Sequence, residues 1–308
     1  MRNRFIKGLE LLAERDPHLF LLTGDLGFGV LTTFSERFPD RFINAGISEQ
    51  NMAAVAAGLA LEGNTVYLYS ISTFPTMRCL EQIRNDICYH DADVKIISAG
   101  AGLAYGQLGM SHHATEDIAV MRALPNMRVF APADAMETSA ILDTVSHIKG
   151  PCYIRLEKNS AHDLHPTVPV RSALDTVVLS RGHDVTIFTA GSILEEAIAA
   201  SGHLKKQGLS VGVCSVPCIK PLDGKIIAGC AESSRLIVTM EEHNVIGGLG
   251  GAVAELLSGL PSHAPLLRIG MADTYSSIVG SQRYLREYYH LDGASTAMRI
   301  VEYLETQA

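Results

Sequence analysis

The 308-residue chain is short of positive charge: 25 Lys and Arg stand against 33 Asp and Glu, a formal net charge of −8. No basic run or basic-aromatic stripe offsets that balance, which argues against nucleic acid as a partner. Long apolar stretches are also missing, and none reaches the roughly 18 residues that a membrane span needs. The N-terminus, MRNRFIKGLELLAERDP, reads as an amphipathic helix and not as a signal sequence, so a soluble, cytoplasmic protein is expected. The six cysteines lack C-x-x-C spacing and mostly sit in apolar segments, which suggests reduced core thiols rather than a disulfide frame or a zinc site. Tandem repeats and low-complexity tracts are absent. Phosphate-loop fingerprints are absent too: GGLGG (247–251) follows a strand and precedes a helix, but fits neither G-x-x-x-x-G-K-[ST] nor G-x-G-x-x-G. Its glycines read more simply as letting the next helix pack tightly. His162-x-x-His165 has metal-like spacing without a third ligand and reads as solvated.

What is present is a regular alternation. Strand patterns at 18–24, 41–46, 64–70, 93–100, 127–133 and 152–156 are separated by helix patterns near 3–14, 48–61, 76–89, 116–123 and 134–147. This order predicts parallel strands joined by crossover helices and buried on both faces. The period fails over NSAHDLHPTVPVRSALDT (159–176), which carries Pro166 and Pro169 and reads as a linker. A second series follows, with strands at 184–191, 209–216, 235–243 and 265–270 and helices at 192–207, 221–231 and 250–258. The expected fold class is therefore α/β, with two three-layer domains at 1–165 and 176–308 joined by a linker at 166–175.

One carboxyl group is out of place. In RFINAGISEQNMAAVAAGL (41–59), Ser48 is a natural N-cap and Glu49 opens a helix otherwise almost free of charge, which is expected to be buried. An acid there can simply answer the helix dipole. Beside Ala53, Ala54, Ala56, Ala57, Gly58 and Ala60, however, another backbone or a flat ligand can come close. Desolvation of such a carboxyl favours its neutral form and suits it to donate or share a proton.

Several segments in one order carry a resemblance. RFINAGISEQNMAAVAAGLAL, STF (72–74), RCLEQIRNDICY (78–89), GMSHHATEDIAVMRALPNMRVFAPADAMET (109–138) and EEHNVIGGLGGAVAE (241–255) together resemble the C-terminal half of transketolase. The resemblance runs from about residue 3 to the end. It implies a pyrimidine-binding domain for thiamine diphosphate, followed by a smaller C-terminal domain. In that family a separate region supplies a GDG…N motif that holds Mg2+ and the diphosphate. Here Gly24-Asp25-Leu26 with Asn51 only mimics that motif, so no metal site is expected on this chain. The implied partner is an N-terminal transketolase subunit carrying GDG…N, in an α2β2 heterotetramer with the Glu49 helix near a subunit seam.

The resemblance also assigns roles. Glu49 matches the glutamic acid that bonds the pyrimidine ring nitrogen and turns the cofactor's own 4′-amino group into a base. Phe74 matches the aromatic that stacks on the aminopyrimidine, with Ile71 and Met77 beside it in the cofactor pocket. His112 matches a histidine able to give and take a hydrogen bond at a substrate hydroxyl or carbonyl. His113, Gln107 and Arg155 are the further expected substrate contacts, Arg155 as a phosphate fork. Departures accompany the matches. Gly100 replaces a family histidine, and Gln107-Leu108 replace an acidic pair. Losing a carboxylate for an acceptor hydroxyl points to ketol transfer involving a modified or less hydroxylated sugar or aldehyde. Rival readings are the β subunit of a 2-oxo-acid dehydrogenase, a 1-deoxyxylulose-5-phosphate-synthase-like enzyme and a non-catalytic regulatory subunit.

Overall fold

Apolar residues at helical spacing (Phe5, Ile6, Leu9, Ala13) give the first helix a single buried face, and the computed structural model uses that face to cover a sheet. Residues 1–158, 163–164, 170 and 172–307 are described. His162, His165 and much of the expected linker lie outside them.

The first domain runs α1 (Arg2–Arg15), β1 (Leu19–Thr23), α2 (Thr32–Arg37), β2 (Phe42–Asn44), α3 (Glu49–Leu61), β3 (Thr65–Ile71), α4 (Leu80–Gln82), β4 (Val94–Ala99), α5 (Asp117–Ala123), β5 (Arg128–Phe130), α6 (Ala135–Ser146) and β6 (Cys152–Leu156). The second runs β7 (Val177–Ser180), β8 (Val185–Ala190), α7 (Leu194–Lys206), β9 (Val211–Ser215), β10 (Cys218–Lys220), α8 (Gly224–Ser233), β11 (Leu236–Asn244), α9 (Leu249–Ser258), β12 (Leu266–Met271), α10 (Gln282–Tyr288) and α11 (Gly293–Thr306). The sheets are ordered β10-β5-β6-β4-β3-β1-β2 and β12-β11-β8-β9-β7, and only the edge strands β10 and β7 run antiparallel. Both sheets are thus mostly parallel, with near-continuous apolar strands such as β4 buried along their whole length. No helix among the described residues is long and apolar enough to cross a membrane.

Two local expectations are corrected, and one unforeseen strand links the domains. The helix expected over 76–89 begins only at Leu80 and widens into a π-helical turn over Ile83–Cys88, which keeps Ile83, Ile87 and Cys88 buried together. The Glu49 helix is not enclosed: Met52, Ala53, Ala56, Ala57 and Ala60 face the core, while Ile47, Val55 and Leu61 are 77%, 37% and 58% exposed. β10 lies in the second stretch of sequence but pairs with β5 of the first sheet. Around it one apolar cluster joins Ile118 and Met121 of α5 to Ile219, Ile227 and Val253, so a shared core fixes the two domains against each other.

Candidate active site

The turn after β3 and the loop after β4 meet at the carboxyl ends of parallel strands, where open α/β sheets place their ligand crevices. Glu49, at the first position of α3, is only 3% exposed. Its Oε2 accepts a 2.8 Å hydrogen bond from Arg78 Nη1, and its neighbours Ile47, Ser48, Gln50 and Asn51 line a pocket of about 310 Å³ with Arg78. Arg78 also lays its guanidinium over the Phe74 ring, 4.5 Å from the centroid. Phe74 is held by the turn itself: its N–H donates to Ile71 O at 2.8 Å, and its carbonyl accepts from the Cys79 thiol. Ile71 is half-buried beside it and Met77 is exposed.

From Phe74 a strip of contacts crosses the facing loop. The His112 ring stands edge-on to Phe74 with centroids 5.3 Å apart, and the Tyr105 centroid lies 6.1 Å from that of His112. Lys158 Nζ then sits 4.7 Å from the Tyr105 centroid. Thr73 Oγ1 donates to Ser111 O at 2.8 Å, which pins the two loops together. Burial, with the neighbouring His113 second, lowers the pKa of His112 from its usual 6.5. His112 is therefore a neutral imidazole near pH 7, able to give one hydrogen bond and take another. Gln107 is exposed on the same loop, between the exposed apolar Leu108 and Met110 and the half-buried Tyr105.

Two expected substrate contacts do not face this strip. Arg155 is 2% exposed; its Nε donates to Asp117 Oδ2 at 2.8 Å, and its Nη2 donates to Ala114 O and Glu242 O at 2.8 and 2.9 Å. Asp117 also accepts from Tyr153 Oη at 2.6 Å. The guanidinium is engaged through Nε and Nη2 in a buried bond network. His113 is 3% exposed with Nε2 against Gly106 O at 3.3 Å, so it braces the loop from beneath. Sequence reasoning missed Arg78, Tyr105 and Lys158. The usable signal for Lys158 was its spacing: three residues past Arg155 it has left the buried strand, so its charge can reach solvent.

The glycine-rich turn resolves as a structural device. Glu241 Oε2 and Oε1 accept the Leu249 and Gly250 N–H groups at 2.7 and 2.8 Å, so the protein's own carboxylate answers the start of α9. A side chain at Gly248 would collide with that carboxylate and with His243. In the GDG-like segment, Asn44 Nδ2 donates to Asp25 Oδ1 at 3.2 Å.

Residues 1–162 match the family model for the transketolase pyrimidine-binding domain, and residues 175–295 match that for the transketolase C-terminal domain. The chain belongs to the transketolase family. Family members depend on thiamine diphosphate, and the acid, the aromatic face and the histidine described above lie in the domain named for binding its pyrimidine. The chain is 38% identical to a putative transketolase C-terminal section of Methanocaldococcus jannaschii, over 100% of this chain and 97% of that protein. It is 32% identical to one subunit of the apulose-4-phosphate transketolase of Phocaeicola vulgatus, covering 99% and 97%. A solved split-gene transketolase, described as an inactive beta4 tetramer, superposes with a TM-score of 0.88 at 37% identity over 98% of this chain and 97% of that one. Against single-chain transketolases the match spans less than half of their length: a Campylobacter jejuni enzyme gives 18% identity and a TM-score of 0.80 over 46% of its chain.

Proposed function

We propose that this chain is the catalytic half of a two-chain transketolase, acting in the cytoplasm on a specialised sugar or aldehyde. The observation that carries the reading is the unbroken strip from the Glu49–Arg78 pair through Phe74 and His112 to Tyr105 and Lys158. The strip fits a flat heteroaromatic ring: a desolvated acid for its edge, an aromatic side chain for its face and a second ring system beyond. Glu49 and Phe74, with Ile71 and Met77 beside them, would hold the aminopyrimidine of thiamine diphosphate, which when bound supplies the nucleophilic carbon for moving a two-carbon ketol unit. Glu49 holds or releases a proton at its carboxyl oxygen. Arg78 pins Oε2 and leaves Oε1 for the ring nitrogen. His112, neutral and edge-on to Phe74, orients a substrate hydroxyl or carbonyl and exchanges a proton with it. Lys158 and Gln107 border the outer end, Lys158 suited to an anionic group on the substrate.

The Mg2+ and diphosphate contacts are assigned to a partner chain with a GDG…N motif, in an α2β2 assembly. Support comes from relatives of the same length that are named as subunits, including a 6-deoxy-6-sulfo-D-fructose transketolase subunit from a Clostridium species, 33% identical over 98% of this chain. The uncharged exposed surface of α3, with Val55 and Leu61 on it and Ile47 just before it, is the expected seam. The free cysteines suit a reducing compartment. Substrate specialisation rests on the loop: Gln107 stands where an acidic residue would bind an acceptor hydroxyl, between apolar side chains. A 1-deoxy-D-xylulose-5-phosphate synthase from Chlorobium luteolum is 33% identical over 98% of the chain, which keeps decarboxylation of a 2-oxo acid as the second reading. Reconstitution with the partner, thiamine diphosphate and Mg2+, followed by a donor and acceptor screen read by mass spectrometry, tests both. Two-carbon transfer from a ketose supports the proposal. A strict demand for a 2-oxo acid donor would replace it, and xylulose 5-phosphate with ribose 5-phosphate as by far the best pair would remove the specialisation.

A further inference from the structure

The loop that presents Tyr105, Gln107 and His112 belongs to the first domain, but its hydrogen bonds lead to the second. Leu103 N donates to Glu242 Oε1 at 2.6 Å, Gly280 N donates to Gly106 O at 3.2 Å, and Asn244 N donates to Thr115 O at 2.7 Å. Gly102, at φ +52°, has no room for a side chain because Glu242 fills the space. Glu242 is itself fixed. Its Oε1 also accepts from Gln282 Nε2 at 2.9 Å, its Oε2 is paired with Arg286 Nε, and the residue is buried.

A second carboxyl shares these partners. Glu157, just past β6, accepts from Ser192 Oγ at 2.8 Å and from Gln282 Nε2 at 3.3 Å. Ser192 Oγ in turn accepts from Arg286 Nη2 at 2.8 Å. Two buried carboxyls therefore bear on a single guanidinium, Glu242 directly and Glu157 through Ser192. Among the described residues, the charged groups around Glu157 are Glu242 of β11, Arg286 of α10, Arg155 of β6, the Met1 amino group at the start of α1 and, through Arg286, Glu196 of α7. Arg155 is already committed to Asp117. Burial, with Glu242 next, pushes the Glu157 carboxyl up to about 7.

We propose that Glu242, backed by Arg286 and Gln282, is a positioning residue that sets the register of the substrate loop from the neighbouring domain, and that proton loss from Glu157 loosens this clasp. Glu242 touches neither substrate nor cofactor; it acts through Leu103 N. With Glu157 protonated, Arg286 answers Glu242 and, more distantly, Glu196, and the loop is held. Once Glu157 ionises, a further buried anion draws on Arg286, through Ser192, and on Gln282, and the grip on Leu103 weakens. That the loop serves substrate rests on the function proposed above, whereas the clasp itself does not.

Hydrogen exchange of the full chain tests it at about pH 6 and about pH 8, with rates corrected for intrinsic base catalysis. The expected result is faster exchange of the 103–108 amides at the higher pH in the wild type. Glu157→Gln, which keeps the shape but cannot ionise, should remove that pH dependence. Glu242→Gln should speed exchange about tenfold at both pH values, the scale set by losing a charged hydrogen bond. Should Glu242→Gln fail to fold, Gln282→Leu, which removes the shared amide alone, should give the same direction. With the partner added, Glu242→Gln should raise KM more than it lowers kcat, and Glu157→Gln should extend the alkaline limb of the pH profile. Equal loop exchange in wild type and Glu242→Gln, or a pH effect that persists in Glu157→Gln, overturns the proposal. An inactive reconstituted wild type with the expected exchange pattern would instead remove the functional reading and leave the clasp standing.

Discussion

At the scale of single residues, Glu49 and Lys158 stand at opposite ends of the strip and should fail differently. Replacing Glu49 by Ala removes a proton-handling group next to small residues that need little support. We expect the reconstituted enzyme to assemble normally and to lose turnover by about 10²-fold or more, the usual worth of a positioned acid or base. Steady-state kinetics with native mass spectrometry checks this, and turnover within a few-fold of wild type would defeat the assignment. Lys158→Ala should raise KM for a phosphorylated or sulfonated substrate about 10–100-fold, with kcat largely kept, because a peripheral charge binds ground state and transition state alike. The same raised KM on an uncharged substrate would deny the lysine this role. Glu49 stands out in the sequence by its setting, a lone acid opening a helix almost free of charge, whereas Phe74 and His112 are assigned through the resemblance to transketolase. Arg155 could not be judged by its setting. A charged residue ending an apolar strand reads alike whether it meets a ligand or a buried Asp117, and only the packing of α5 against β6 decides between them.

At the scale of elements, the alternation of apolar runs and helical patterns located every parallel strand of both sheets, because strands buried on both faces leave a continuous apolar signature. β7 and β10 escaped notice. Each is short, pairs antiparallel at an edge and is joined to a neighbouring strand without the crossover helix that brackets the parallel strands in sequence. The π-helical turn at Ile83–Cys88 escaped for another reason: one residue of extra winding leaves the apolar pattern almost unchanged. The GGLGG segment fits no phosphate-loop fingerprint, and Glu241 accepts the Leu249 and Gly250 N–H groups at the start of α9. Gly248→Ala should therefore destabilise the protein by about 1–3 kcal/mol through overpacking against that carboxylate. Thermal or urea unfolding would show it. An unchanged midpoint would mean that Glu241 can withdraw from the α9 start without penalty.

At the scale of the whole molecule, the question is what covers α3. Its inward side is packed, yet Val55 and Leu61 on the helix and Ile47 just before it are exposed, with no charged side chain between Glu49 and Glu62. Isolated exposed apolar residues are ordinary, but a charge-free stripe beside the pocket of the proposed catalytic acid is what a subunit seam requires. On the proposed assembly, Val55→Lys places an ammonium in the middle of that seam. It costs the free chain little, because Val55 is already 37% exposed and its replacement leaves the buried Ala row untouched. Against a partner, the ammonium must be desolvated without a counter-ion, and such a penalty exceeds the ~1.4 kcal/mol that corresponds to a tenfold loss of affinity. Val55→Lys should therefore melt within about 1 kcal/mol of wild type while its complex with the partner chain dissociates at more than about tenfold higher concentration. Native mass spectrometry of titrated mixtures separates the outcomes. A complex of unaltered strength would show that α3 faces water in the assembly and that the cofactor pocket is closed by some other surface.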